Sequence, residues 1–206
     1  MRIGLDLDNT IICYDRLFHQ LAMERGLIPR DLPATKSAVR DHLRSIGREN
    51  DWTAMQGEAY GTRIGEAEIF AGAIEFIQQC RADDHHVVII SHKTKRPFAG
   101  PDADLHECAL RLLREREFFD FEHTGLTEAH VSFELTKEEK LSRIGTLACD
   151  LFVDDLPEFL LEPAFPVGVR RILFDPTGAA EPDERYLHMR SWRELSNILE
   201  KEVVRA

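Results

Sequence analysis

The chain has 206 residues, 43% apolar and 31% charged, which suits one globular domain, or one domain with a modest insertion, around a sizeable core. Acids outnumber lysine plus arginine by 37 to 26, and the resulting charge of −11 argues against a protein that coats nucleic acid or anionic membrane. The four cysteines have no zinc-ligand or redox spacing, and no apolar run reaches membrane-spanning length.

The first element is predicted at once. Arg2-Ile-Gly-Leu-Asp-Leu7 is a short apolar run that breaks into Asp8-Asn9-Thr10, as a buried strand does when it delivers side chains to a loop. A strand beginning at Arg2 leaves no room for a signal peptide, so a cytoplasmic protein with reduced thiols is expected. From Asp15 the pattern turns helical. Leu17, Phe18, Leu21 and Ala22 form one stripe, stopped by Gly26. Ala38, Val39, His42, Leu43 and Ile46 form a second, closed by Gly47, and a third helix is predicted from Asp51 to about Arg63. Ile69, Ala73, Ile74 and Ile77 mark a fourth.

Val87-Val88-Ile89-Ile90 is apolar without alternation, as in a strand covered on both faces, and it ends in Ser91. A helix over 103–116, a short strand near Val131–Leu135 and a helix opening at Thr136 follow. Glu139, three residues beyond Thr136, completes a capping box. Strands are predicted at Asp150–Val153 and Arg171–Phe174, and a final helix over 192–202. Alternating strands and helices give an α/β protein with a parallel sheet. The helical stretch from about 13 to 70 is too long for a simple crossover and reads as a small helical insertion after the first strand.

Three predicted strands end in Asp6/Asp8, Ser91 and Asp154/Asp155, and ligands of an open parallel sheet bind beyond such carboxyl ends. The helix starting at Thr136 brings its anion-favouring N-terminus, with Lys137 in the first turn on the stripe of Leu141, Ile144 and Ala148. Carboxylates so close together call for a cation, and Mg2+ suits oxygen ligands beside a phosphate. Asp6 could then attack phosphorus, Asp8 could serve as acid and then base, and Ser91 and Lys137 could hold phosphate oxygens.

Asp6-Leu-Asp8-Asn-Thr10, Ser91, Lys137 and Asp154-Asp155, in that order, resemble the four motifs of the haloacid dehalogenase superfamily. The resemblance implies a Rossmann-like core at 1–12 and 71–206 with a helical cap at 13–70. It also implies that Asp155 touches the metal directly while Asp154 supports the metal site, beside Asp6 and Asp8. Dehalogenases of the superfamily lack the second aspartate, so Asp8 points to its phosphoryl-transfer branch, mostly magnesium-dependent phosphatases. The expected partner is a small phosphorylated metabolite, a sugar phosphate or nucleotide, rather than nucleic acid or membrane. Alternatives are a phosphomutase or phosphotransferase, and a non-catalytic binding module.

Other charged residues receive plainer readings. Lys93, Lys95 and Arg96 crowd the loop after Ser91 and are candidates for holding an anionic substrate, or else a solubilising loop. Lys140, one turn inside its helix, is expected on a solvated face, and His92 as a turn residue. Glu158 either supports the acidic pair or is solvated. Lys36, Arg40, Arg44 and Arg48 recur along one helical face and are expected to be solvated and paired with nearby acids.

Overall fold

Apolar runs that end in polar residues become neighbouring strands in the computed structural model, which describes residues 1–203. The first part of the chain forms β1 (Arg2–Leu5), β2 (Ile12–Cys13), α1 (Asp15–Glu24), α2 (Lys36–Ser45), α3 (Glu49–Gly57) and β3 (Glu68–Ile69). Next come α4 (Ala73–Ala82), β4 (His86–His92), α5 (Leu105–Glu115), α6 (Phe121–Thr124) and β5 (Val131–Glu134). The chain closes with α7 (Lys137–Thr146), β6 (Leu151–Asp154), α8 (Pro157–Leu160), β7 (Arg170–Phe174), β8 (Leu187–Met189) and α9 (Trp192–Val203). No described helix is long and apolar enough to cross a membrane.

Six strands form one parallel sheet in the order β5-β4-β1-β6-β7-β8. From β1 the chain builds outward through β4 and β5, then returns to the other side of β1 as β6. The strand order therefore reverses between β1 and β6, which makes their carboxyl ends the crevice of this α/β architecture. Gly4 pairs with Phe152 across these two strands, and a Cβ on Gly4 would lie 2.5 Å from the Phe152 ring. Glycine is there because the ring needs the space.

The described chain divides into two compact units. One holds the sheet and comprises Met1–Ile11, Ile69–His92 and the residues from Glu117 onward. Its core includes Val88, Ile90, Ile144, Phe152, Phe159 and Leu173, with Phe76 and Phe174 packed on the fully buried Trp192 at 5.2 and 5.6 Å. The other unit, Ile12–Glu68 with Lys93–Arg116, is helical and built on an aromatic cluster. There Phe18 stacks on Trp52 at 4.6 Å, and Tyr14 meets Tyr60 edge-on at 4.8 Å. The segment 93–116, placed with the core from the sequence, groups instead with the helical unit, where Leu105 of α5 packs against Gly61.

Several local expectations match closely. Helix α1 buries Leu17, Phe18, Leu21 and Ala22, and Gly26 follows it at φ +62°, in the left-handed region that ends helices. Arg40 and Arg44 on α2 pair with Asp41 and Glu49, and the Lys36 ammonium lies 5.5 Å from the Tyr60 ring. Arg48, expected on the same helical face, lies past the end of α2, just before α3, and pairs with Asp51. The four cysteines are unbridged, and burial raises the thiols of Cys13 and Cys149 to about 11. Ile69, expected in a helix, lies in β3; the helix begins only after Gly72, whose φ is +87°.

The Gly4–Phe152 approach yields a direct test. Gly4→Ala is expected to cost about 1–3 kcal/mol in urea unfolding, and Phe152→Leu in the same chain should recover part of that loss by clearing space.

Candidate active site

Strand β1 ends just before Asp6, whose backbone N–H still donates to Val153 O at 2.9 Å, so Asp6 is held beside the end of β6. The chain then turns: Ile11 N–H donates to Leu7 O at 3.0 Å, with Asn9 at φ +64°. Asparagine tolerates that left-handed conformation better than most residues. The turn brings back the buried Thr10, whose hydroxyl donates to Asp6 Oδ2 at 3.3 Å. Asp8 is half-buried in the same turn. Strand β6 ends on the buried Asp154, whose Oδ1 accepts the Leu156 N–H at 3.0 Å, and the half-buried Asp155 follows. On β4, Ser91 is 1% exposed, and its hydroxyl has no hydrogen-bond partner among the described residues.

The cation at this site is Lys140. The capping box expected at the start of α7 is present: Thr136 Oγ1 accepts the Glu139 N–H at 3.1 Å, and Glu139 Oε2 accepts the Thr136 N–H at 3.0 Å. One turn in, Lys140 is 3% exposed and donates from Nζ to both Asp6 Oδ1 and Asp154 Oδ2 at 2.6 Å. Its ammonium lies 4.3 Å from the centre of the Phe159 ring and 5.3 Å from that of Phe152. The expectation of a solvated Lys140 is therefore corrected.

Lys137 is half-buried and bonds to Glu162. The reason is the tilt of helical side chains, which lean toward the helix N-terminus and carry their heads about a turn back from their own Cα. A lysine at the first helical position overshoots the strand ends, and the lysine one turn inside reaches them.

One buried ammonium faces two carboxylates, leaving one negative charge in excess. Burial, reinforced by Asp154 and Asp8 and opposed by Lys140, holds the Asp6 carboxyl up at about 7. For Lys140, burial pulls the pKa down, but Asp154 and Asp6 outweigh it and raise it above the ordinary lysine value.

Asp6, Asp154 and Asp155 also present oxygens that all lie within 4.8 Å of one another, a hard donor set that fits a divalent cation such as magnesium. The Asp8 carboxylate, expected among the metal ligands, is not part of this set. It sits two residues past the strand end, in the turn around Asn9.

The remaining candidates divide by location. His92, expected as a turn residue, is instead the last residue of β4, paired with Glu134 of β5, and bonds through Nε2 to Leu135 O at 3.1 Å; Glu158 is exposed on α8. Lys93, Lys95 and Arg96 belong to the helical unit. There Lys93 is buried with its ammonium 4.8 Å from the Tyr60 ring, Lys95 pairs with Asp104 at 3.7 Å, and Arg96 pairs with Asp102 at 2.9 Å.

No family model and no curated protein matches this sequence. Among solved structures, a HAD-superfamily hydrolase from Ehrlichia chaffeensis is 14% identical with a TM-score of 0.56, over 98% of this chain and 97% of that one. A HAD family hydrolase from Deinococcus radiodurans R1, with bound phosphate and sodium, is 15% identical at a TM-score of 0.55, over 97% and 95%. This chain has the haloacid dehalogenase (HAD) fold. Protein tyrosine kinase A of Mycobacterium tuberculosis is likewise similar, 16% identical at a TM-score of 0.62, over 96% and 97%. In the HAD-type sheet of this chain, the Asp6–Lys140–Asp154 group occupies the β1/β6 crevice.

Two outcomes are expected without divalent cation. Lys140→Met should cost about 3–5 kcal/mol in urea unfolding, because it strands two buried carboxylates, whereas Lys137→Met should leave the unfolding midpoint nearly unchanged, because a solvent-exposed ion pair adds little. The second concerns pH. The folded pKa of Asp6, about 7, exceeds its ordinary 3.8, so its contribution to stability is full below the ordinary value and is lost as pH rises toward 7. Melting temperatures in EDTA should fall across that window, and Asp6→Asn should flatten the fall.

Proposed function

We propose that this chain is a magnesium-dependent phosphatase that hydrolyses a small phosphorylated metabolite, a sugar phosphate or nucleotide, through an aspartyl-phosphate. The observation that carries the reading is the buried Asp6, held through one oxygen by Lys140 and through the other by Thr10, as one member of a three-carboxylate donor set with Asp154 and Asp155. The buried Ser91 hydroxyl, without a hydrogen-bond partner among the described residues, adds a donor whose hydrogen bond a phosphoryl oxygen could accept.

The division of labour follows from the residues. A carboxylate oxygen of Asp6 attacks phosphorus; the new P–O bond forms as the bond to the leaving oxygen breaks. Asp8 protonates that leaving oxygen, then removes a proton from the water that attacks the acyl phosphate, releasing phosphate and restoring Asp6. Lys140 and Thr10 fix the orientation of the Asp6 carboxylate, and Lys140 holds Asp154 in place. Asp6, Asp154 and Asp155 would hold the cation, which supplies positive charge between the carboxylates and the anionic substrate. Phosphate contact belongs in this scheme to Ser91 and Lys140 rather than Lys137.

Transfer to an acceptor other than water is the second reading. A protein named as a tyrosine kinase is among the structural neighbours, so this fold alone leaves the acceptor open.

A screen of phosphorylated metabolites with magnesium, read as released phosphate, tests the proposal. EDTA should abolish turnover, and Asp6→Asn should lower kcat by about a thousandfold or more while remaining folded. With an aryl phosphate, whose leaving group needs little protonation, Asp8→Asn should retain a burst near one equivalent per enzyme, and Asp6→Asn should give none. Turnover by Asp6→Asn, or a burst from it, would overturn the nucleophile. Loss of the phosphoryl group from the substrate only when a second acceptor is supplied, with that group recovered on the acceptor rather than as free phosphate, would favour transfer, and no phosphorylated intermediate with any substrate would favour a binding module.

A further inference from the structure

At the opposite edge of the sheet, where β1, β4 and β5 begin, lies a cavity of about 410 Å³. Its charged lining is Arg2, Arg81 and Arg143 with His85, His86 and His130, and no aspartate or glutamate among the described residues lines it. In a chain with 37 acids against 26 lysines and arginines, a cavity whose ionisable lining is guanidinium and imidazole is a strong departure from the average surface. Helix-end electrostatics accounts for part of it, since Arg81 and Arg143 stand in the last turns of α4 and α7. That does not account for Arg2, which starts a strand, nor for three histidines around the same concavity.

The arginines are held in different ways. The Arg143 guanidinium is shared with Glu134 at 2.6 Å, and that of Arg2 donates to Leu147 O. Arg81 has no carboxylate partner among the described residues, yet it is fixed in place. Its guanidinium lies 5.5 Å from the Phe121 ring centre, and its stem fills the space where Gly125 lacks a side chain; a Cβ there would sit 2.9 Å from Arg81 Cδ. Gly125 caps α6 at φ +69°, so both its conformation and its bareness serve this contact. A pre-positioned guanidinium with unused donors is suited to a planar or tetrahedral anion. Ser132 adds a hydroxyl to the lining.

We propose that this cleft binds a small molecule bearing one or more phosphate groups, gripped by Arg81 with Arg2 and Arg143. A cavity of this size accommodates a small organic ligand rather than a lone ion. Its strand-start position separates it from the Asp6 crevice: His86 and Ser91 lie on the same strand, about 16 Å apart at about 3.3 Å per residue. This second site does not depend on the phosphatase reading.

The probe is methylenediphosphonate, which cannot be hydrolysed, titrated calorimetrically in EDTA and about 150 mM salt. Under these conditions the acidic Asp6 cluster repels anions, and a charge about 16 Å away is screened over a Debye length of about 8 Å. Wild type should bind, and Arg81→Glu should weaken binding at least tenfold, with Arg81→Lys intermediate. The ring-proton resonances of His85, His86 and His130 in wild type should move on titration while those of His106 and His188 stay, a reading that needs no variant. Equal binding by wild type and Arg81→Glu, no binding by wild type at millimolar probe, or unmoved edge histidines would overturn the site. Equal affinity for malonate would overturn the phosphate class.

Discussion

A single buried ammonium between two carboxylates is the constraint around which this molecule is arranged. Lys140 of α7 joins Asp6, at the end of β1, to Asp154, at the end of β6. Those are the two strands between which the sheet order reverses. The ion pair cannot form by itself, because burying a lysine is costly unless its partners are already in place. The partners are in place because the Thr136–Glu139 capping box fixes where α7 begins, and because Gly4 lets Phe152 lie close against β1, with Phe152 and Phe159 near the ammonium. Local backbone geometry thus decides whether a distant charge can be tolerated.

The same arrangement leaves the site unfinished in two ways that share a direction. Its charge sums to an excess of anion, and a nearby buried hydroxyl, Ser91, has no hydrogen-bond partner among the described residues. Interiors rarely leave either condition without a purpose. A divalent cation would answer the first and an oxyanion the second, which is the complement the proposed phosphoryl chemistry calls for.

Much of this was legible in the sequence because strand ends announce themselves. Apolar runs broken by Asp6, Ser91 and Asp154 needed no knowledge of the helices to be placed at one edge. The stripe of α1 and the cap of α7 were equally direct, since both depend on neighbours within a turn. Lys140 was not legible, because Lys137 and Lys140 both lie on the side of α7 that carries Leu141 and Ile144. Choosing between them requires the level of the strand ends along the helix axis, which is a tertiary fact. Ile69 misled for a related reason: its apolar spacing continues that of α4, but Gly72, at φ +87°, interrupts the helix that the spacing implies. The three-residue β8 offers too few residues for any periodicity to register.

The helical unit is drawn from two separate lengths of chain, Ile12–Glu68 and Lys93–Arg116, and its interior depends on both. Leu105 of α5 approaches Gly61 so closely that a Cβ there would sit 3.2 Å from the leucine Cδ2. No single cut-and-paste can therefore move this unit into another protein: a graft of 12–68 alone would arrive without one of its walls. Recombination that exchanged it between relatives would need breakpoints on both sides of β4. Exchange of the unit is correspondingly harder than for an insertion that is one continuous stretch.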